Sequence, residues 1–272
     1  MSEPDPRQQV QPTDRPGDHA RGVLLGLVES LGAALRKVSR SKGAHPERAV
    51  HAARVLTRRL EAAAGVLGPH TDDPDLAAAL VRRAARVRRA LSVLRDADVH
   101  GAAVRSLRRG APAAWRAAID HVVERMEGAA ARVRPEAARA ARKQMRALES
   151  RSLRKRLRRL GWAGPTDGGA VARAAMGRVM DAVRAAAGAD LAVVANIHAL
   201  RIAIKRLRYA IEAVSPWIDA AGADRAESAL RRLQRRLGSV NDEDGLLARL
   251  VEAFERARRK KNRAVGASLR AM

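Results

Sequence analysis

The stretch that decides the fold reads IHALRIAIKRLRYAIEAV and spans residues 197–214. Its apolar side chains recur at alternating spacings of three and four residues, which is the period of one helix face. Such a row is typical of an amphipathic helix whose apolar side is buried in a core. We therefore predict a helix over residues 190–214, with a buried stripe formed by Ile197, Leu200, Ile204, Leu207, Ile211 and Val214.

Basic side chains lie one step around this helix from the apolar stripe, beginning at His198. The pattern over residues 198–207 is a histidine, a basic residue, a branched aliphatic residue, a basic pair and a leucine, and residues 51–60 repeat it in register. The earlier copy is predicted to lie on a helix over 46–67, again beside a buried stripe. The histidine and basic side chains of the two helices are His51, Arg54, Arg58 and Arg59, and His198, Arg201, Lys205, Arg206 and Arg208.

A second match follows each copy and extends the repeat. Residues 91–98 correspond to residues 237–244 at an offset of 146 residues, against 147 for the two histidine-containing stretches. Nearly equal offsets are typical of an internal duplication, so we predict two copies of one helical unit. Each half would offer two antiparallel helices whose basic rows face a shared groove, and the second helices contribute the aligned pairs Arg86 with Arg232 and Arg89 with Arg235.

The rest of the chain also predicts helix and no sheet. Alanine, arginine, leucine and glutamate dominate, and glycine and proline fall where helices are expected to end. The predicted fold class is all-α, with two four-helix bundles related by a pseudo-twofold axis. The remaining helices are expected over 19–40, 74–94, 97–109, 112–133, 136–160, 169–187, 219–238 and 243–263, with Pro135 in the first turn of its helix.

The predicted organisation follows from the breaks between these helices. The first 18 residues are rich in proline, glutamine and aspartate and lack the apolar segment of a signal peptide, so a disordered tail is expected. No apolar run is long enough to cross a membrane, and the cytoplasm is the expected location. The parts are a tail over 1–18, a first bundle half over 19–160, a linker over 161–169, a second half over 170–265 and a tail over 266–272.

The charge of the chain narrows the choice of partner. Its 272 residues include 54 lysines and arginines against 29 acidic residues, which gives a formal net charge of +25. Such a balance favours an anionic partner, namely a nucleic acid, polyphosphate or an anionic surface. The absence of cysteine excludes disulfides, thiolate metal sites and cysteine catalysis.

Rows of cations at helical spacing suit inorganic polyphosphate, a uniformly charged chain that has no bases and no apolar surface. Arginine binds phosphate oxygens through its planar fork, and a protonated histidine donates from both ring nitrogens. We therefore predict a non-enzymatic polyphosphate-binding groove lined by the thirteen histidine and basic side chains named above. No catalytic residue, metal ligand or cofactor is expected.

Two other classes of function stay open as alternatives. A nucleic-acid-binding protein could use the same basic surface for the phosphate backbone, although five scattered aromatic residues are too few for base stacking. An enzyme acting on phosphoanhydrides would need a phosphate-binding glycine loop or carboxylates for magnesium, and the sequence offers no convincing example of either. The acidic pairs Asp96/Asp98 and Asp242/Asp244 are interpreted as caps of helix N-termini rather than as metal ligands.

The repeated residues resemble the signature of the CHAD family, the conserved-histidine α-helical domain. The resemblance covers roughly residues 19–265 and is carried by residues 50–60 and 94–99 in the first half and by 197–209 and 237–244 in the second. It implies two four-helix bundles around a basic groove or pore that binds inorganic polyphosphate, in a stand-alone protein. Members of the family are also linked to polyphosphate or polyhydroxyalkanoate granules, which makes a granule surface a further expected partner.

The chain departs from the family pattern at two positions. Glu61 stands where the second copy has Arg208, and Asn241 stands where the first copy has Arg95. The acidic Glu61 predicts weaker binding of polyphosphate at that end of the first half. Many relatives carry an N-terminal triphosphate-tunnel domain with a Glu-x-Glu-x-Lys signature, which this sequence lacks, so the hydrolase activity of that domain is not expected here.

Overall fold

The structure is a computed structural model that describes residues 15–40, 47–92, 94, 104–105, 108–109 and 111–259. Strand pairing in these ranges is limited to one isolated bridge between Thr71 and Trp162, so the all-α prediction is confirmed, whereas the internal duplication stays a prediction. The helices are α1 (Pro16–Arg40), α2 (Glu47–Leu67), α3 (Pro74–Ala90), α4 (Ala113–Leu148), α5 (Arg151–Arg158), α6 (Gly168–Ala187), α7 (Val194–Val214) and α8 (Ala220–Arg259), with 3-10 turns at Gly68–His70 and Ser215–Trp217.

Four of these helices form a bundle in the first part of the chain. α1 packs against α2 and α4, and α3 packs against the same two helices, so α2 and α4 occupy diagonal corners. Their apolar sides meet in a core that contains the fully buried side chains Leu60, Leu80 and Leu148. α5 packs against α1 and α4 and buries Leu153 and Leu157 in the same core.

The second part of the chain is built around α7. This helix packs against α6 on one side, α8 on another and α2 of the first bundle on a third. Because of the contact with α2, the two helices that carry the repeated pattern lie side by side. Of the predicted stripe, Ile197 is half-buried and the other five residues are buried, namely Leu200, Ile204, Leu207, Ile211 and Val214.

The segment between α5 and α6 is tied to the turn that follows α2. The backbone N–H groups of Ala163 and Gly164 donate to the carbonyl of His70 at 2.8 and 2.9 Å. The Trp162 ring lies 5.6 Å from the His70 ring and 6.4 Å from the Trp217 ring that follows α7. These contacts hold the turns after α2 and α7 close to each other at one end of the molecule.

Several predicted helix boundaries are wrong. α4 continues through Pro135, and α8 continues past Gly238, where a break was expected. The helix predicted over 136–160 is instead divided between the end of α4 and α5. Asp242 and Asp244 therefore lie inside α8, and their interpretation as N-terminal caps is wrong, whereas the corresponding earlier pair, Asp96/Asp98, lies outside the described residues.

Packing and local propensity explain both continuous helices. A proline inside a helix costs about 3 kcal/mol, but Ala130 and Ala137 on either side of Pro135 are both buried in the core. A break at the proline would remove one of these contacts. In α8 the residues around the expected break include leucine, arginine and glutamate, which are strong helix formers, and a single glycine costs only about 1 kcal/mol.

Candidate functional site

The predicted basic rows come from four neighbouring helices. α2 and α7 pack directly against each other, α3 flanks α2, and α8 flanks α7. The structure thus brings together the helices that carry all thirteen predicted side chains, and their individual environments differ.

Arg58 lies where α2, α3 and α7 meet. Burial lowers the pKa of its guanidinium, and the positive charges of Arg88 on α3 and Arg201 on α7 lower that pKa further, while Tyr209 and Glu61 act in the opposite direction. Arginine remains charged even so, because its ordinary pKa lies far above neutral pH. We call Arg58, Arg88 and Arg201 the cationic cluster. It concentrates three positive charges in a half-buried place, where charges interact more strongly than in water.

Neighbouring side chains hold this cluster in place. The Nη1 group of Arg54 donates to the backbone carbonyl of Arg88 at 3.1 Å, which ties α2 to α3. The guanidinium of Arg88 also forms an ion pair with Glu61 of α2. Glu61 was predicted to weaken the grip of the first half, and the structure shows that it pairs with one cluster arginine, so that one carboxylate stands beside three guanidinium groups.

Arg201 extends from α7 to α8. Its guanidinium lies against Gly238, and a Cβ atom built at that glycine would be 3.5 Å from the Nη2 atom. A side chain at position 238 would therefore be in van der Waals contact with the guanidinium. The part of α8 that precedes the expected break therefore forms one wall beside the cluster.

Two other predicted side chains are engaged in ion pairs between helices. Arg59 pairs through Nε with Glu212 of α7 at 3.0 Å, and the two side chains are about one-fifth exposed, at 21% and 18%. Arg208 lies 3.8 Å from Glu227 of α8, and its guanidinium lies over the ring of Tyr209, 4.5 Å from the ring centroid. Since carboxylates already neutralise them, these two arginines join helices, and their availability to a ligand is reduced.

The remaining predicted side chains are half-buried or exposed on the same four helices. Lys205 is half-buried on α7. On the third helix, burial and the charge of Arg86 lower the pKa of Arg83, which indicates a second close pair of arginines. The exposed predicted side chains are His51, His198, Arg86, Arg89, Arg206, Arg232 and Arg235.

Sequence analysis missed Arg88, although a signal for it was present. At 100° per residue, Arg88 lies roughly 70° from the buried seam formed by Leu80, Ala84, Val87 and Leu91, so it flanks the core. Arg86 and Arg89, which were predicted instead, lie roughly 130° or more from that seam. Glu212 and Glu227 were missed as well, and nothing in the pattern indicates which arginines they neutralise.

Two further searches of the described ranges bear on the other classes of function. No group of three or more histidine, aspartate or glutamate side chains lies close enough together there to hold a metal ion. None of the helices in those ranges has both the length and the apolar character that crossing a bilayer requires.

Comparison with known proteins identifies a matching family and a similar fold. The sequence model of the CHAD domain matches residues 28–251. Among solved structures, the chain is similar to the crystal structure of the CHAD domain from the plant Ricinus communis, with a TM-score of 0.67 and 22% sequence identity, over 94% of this chain and 86% of that one. Comparison with curated proteins gives no match.

Proposed function

The chain belongs to the CHAD domain family, and we propose that it binds inorganic polyphosphate at the cationic cluster between α2, α3 and α7. The observation that supports this most directly is the environment of Arg58, whose pKa is lowered by burial and by two further arginines from different helices. Positive charges that act on one another in this way destabilise each other in the free protein, and Glu61 offsets part of that effect. A phosphate chain would relieve the repulsion and accept charge-assisted hydrogen bonds from Arg58 and Arg201. Arg88, which Glu61 already pairs, would contribute attraction at longer range.

The surroundings of the cluster favour polyphosphate over nucleic acid. The aromatic ring beside it, Tyr209, is buried and covered by Arg208. It is therefore not available to stack on a base, which is the usual contribution of aromatic residues to single-strand binding. A ligand made only of phosphates needs no such surface.

We further propose that the protein binds without hydrolysing its ligand. Among the side chains that the structure describes, Glu61, Glu212 and Glu227 lie beside the basic rows, and each is paired with an arginine. Magnesium-dependent cleavage of phosphoanhydrides requires carboxylate or carbonyl oxygens directed at the metal. Binding alone would be sufficient to bring the protein to polyphosphate or storage granules in the cytoplasm.

A competition titration tests the proposed function. Long-chain polyphosphate and duplex DNA, at equal phosphate concentration, compete for the protein against one labelled polyphosphate at physiological salt. We expect polyphosphate to displace the label at a much lower concentration than DNA, and the affinity to fall steeply with added salt. Equal displacement by DNA would favour the nucleic-acid alternative, and release of phosphate from the ligand in the presence of magnesium would favour an enzyme.

A further inference from the structure

A second strongly basic segment follows the middle of α4. Residues 139–159 contain ten basic residues and a single acidic residue, Glu149. Residues 113–138, the preceding part of the same helix, contain four basic and four acidic residues. The change begins within α4 and continues through α5, so the positive charge is concentrated locally and does not simply follow from the high arginine content of the chain.

The basic side chains of this segment form two rows. Three of them on α4 and three on α5 recur at spacings of three and four residues and are exposed, while Ala141, Leu153 and Leu157 on the opposite sides are buried. Each row therefore follows the outer side of its helix. We call these six side chains the rear surface: Arg139, Lys143, Arg146, Arg151, Lys155 and Arg158.

Carboxylates near this segment are engaged elsewhere. Glu149 forms an ion pair with Arg36 of α1. Asp73, at the start of α3, accepts from Arg156, a basic residue of α5 that is not part of the rear surface. Within the portion of the chain that the structure describes, no acidic side chain forms an ion pair with any of the six. The positive charge of the rear surface is therefore not neutralised by ion pairs within this portion and is available to attract an anionic partner.

The α4 row of the rear surface lies on the other side of the bundle from the cationic cluster. α2 and α4 occupy diagonal corners, and α2 faces α7, so the exposed side of α4 faces away from α7. Packed helices lie about 8–10 Å apart, and each is about 10 Å wide, which separates the two surfaces by roughly 20 Å. A phosphate chain of only a few units cannot reach from one to the other around the bundle, whereas a long chain can.

We propose that the rear surface is a second contact for the polyphosphate chain held at the cationic cluster, and that the protein thereby selects long chains over short ones. This proposal rests on the proposed function of the cluster. Once one part of a long chain is bound, the rest is present at the rear surface at high effective concentration, so the second contact forms within one complex. A short chain makes only the first contact.

The chemistry of the rear surface fits a flexible polyanion better than a lipid bilayer. An interfacial helix needs an exposed apolar face beside its cations. The large apolar side chains that the structure shows exposed, such as Leu191, Val193 and Leu233, all lie outside residues 139–159. The leucines of α5 face the core instead.

The test compares two charge-removing variants with inorganic tripolyphosphate and long-chain polyphosphate as probes. The rear variant is Arg146→Gln with Arg151→Gln and Arg158→Gln. The control is Arg132→Gln with Arg173→Gln and Arg184→Gln, which removes the same number of exposed arginines from the balanced part of α4 and from α6, where Arg173 and Arg184 pair with Asp167 and Asp181. We expect the rear variant to bind the long chain about tenfold more weakly than the wild type, a factor of about two per exposed contact, and to bind tripolyphosphate unchanged. The control should change neither affinity by more than about twofold.

Each other outcome overturns the proposal in a recognisable way. An equal loss in both variants, or a loss with tripolyphosphate as well, would show that the rear surface acts only through overall charge. Loss of binding to duplex DNA alone would assign the surface to nucleic acid. If Arg58→Gln weakens both probes while the rear variant changes neither, the rear contact fails and the cluster stands; if the wild type binds neither probe, the proposed function itself fails.

A second variant, Lys143→Gln with Lys155→Gln, keeps the test independent of one set of substitutions. It changes two other exposed side chains of the same surface, so it should weaken binding of the long chain alone, by about fourfold. No change with this variant, in protein shown to be helical by circular dichroism, would contradict the proposal.

Discussion

Arginines that are adjacent in the sequence occupy different environments in the fold. Arg58 lies beside Arg88 and Arg201, whereas Arg59 is paired with Glu212 at 3.0 Å. A phosphate can approach the first without displacing a carboxylate, but it must compete with Glu212 for the second. Function and stability are therefore expected to separate between these two neighbours.

The variants Arg58→Gln and Arg59→Gln test this separation. Arg58→Gln removes a charge-assisted contact to the ligand and should weaken polyphosphate binding by about 1.5–3 kcal/mol, with little change in the free energy of unfolding. Arg59→Gln removes the ion pair with Glu212 that joins α2 to α7, and it should lower the free energy of unfolding by about 1–3 kcal/mol. Titration with polyphosphate and urea unfolding measure the two effects. A loss of stability with Arg58→Gln and a loss of binding with Arg59→Gln would contradict this separation.

A buried histidine outside the site predicts a pH dependence of stability. His19 is 3% exposed, donates through Nε2 to the carbonyl of Ala213 at 2.8 Å, and packs edge-on against Trp217. Burial lowers the pKa of this histidine, and the hydrogen bond to Ala213 opposes that effect only in part. The unfolded chain therefore binds the proton more readily, and the contribution of His19 to stability, complete above the unfolded pKa of about 6.5, is lost as the pH falls below it.

Unfolding of the wild type and of His19→Leu at pH 7.5 and pH 5 measures this contribution. We expect the wild type to lose more stability than the variant between the two values, because the variant has no buried imidazole to protonate. His70, whose pKa is also lowered by burial, is present in both proteins and therefore contributes the same loss of stability to each. An identical loss in the two proteins would show that His19 is not protonated on unfolding.

Among the elements, α4 carries an internal proline that its packing tolerates. Pro135 is exposed, so its ring contributes little to the core, and it cannot donate the backbone hydrogen bond to the preceding turn. Pro135→Ala should therefore raise the free energy of unfolding by about 1–3 kcal/mol. Urea unfolding tests the gain. Binding of tripolyphosphate, which reports on the cationic cluster alone, should not change, since α4 is diagonal to α2. A loss of stability would mean that the proline itself is needed for packing.

The elements also show what the sequence can predict. The bounds of α2 and the buried stripe of α7 follow from apolar periodicity, because these helices bury one continuous face. The helical path through Pro135 does not follow from it, because buried residues on both sides outweigh a local signal. In the same way, the sequence predicts a groove shared by the basic rows of the two halves, but it does not predict that Arg58 lies beside Arg201. The neutralisation of Arg59 by Glu212 depends on which helices meet, and periodicity carries no information about that.

At the scale of the whole molecule, the cationic cluster depends on the contact between the first bundle and α7. Arg58 and Arg88 belong to the first predicted half and Arg201 to the second, so neither half contains the cluster alone. The net charge of +25 attracts any polyanion at long range, and it does not by itself select a site. A specific binding site would differ from diffuse attraction because arginines from both halves would contact the same ligand.

A double-mutant cycle on polyphosphate affinity measures that property directly. The proteins are the wild type, Arg58→Gln, Arg201→Gln and the double variant, with Arg173→Gln and Arg184→Gln, alone and combined, as the matched cycle on exposed α6 positions. If both cluster arginines hold the same phosphates, each single change costs about 1.5–3 kcal/mol and the double variant departs from the sum by at least 0.5 kcal/mol. Small additive losses in the cluster, equal to those of the control cycle, would contradict a polyphosphate site at the cluster.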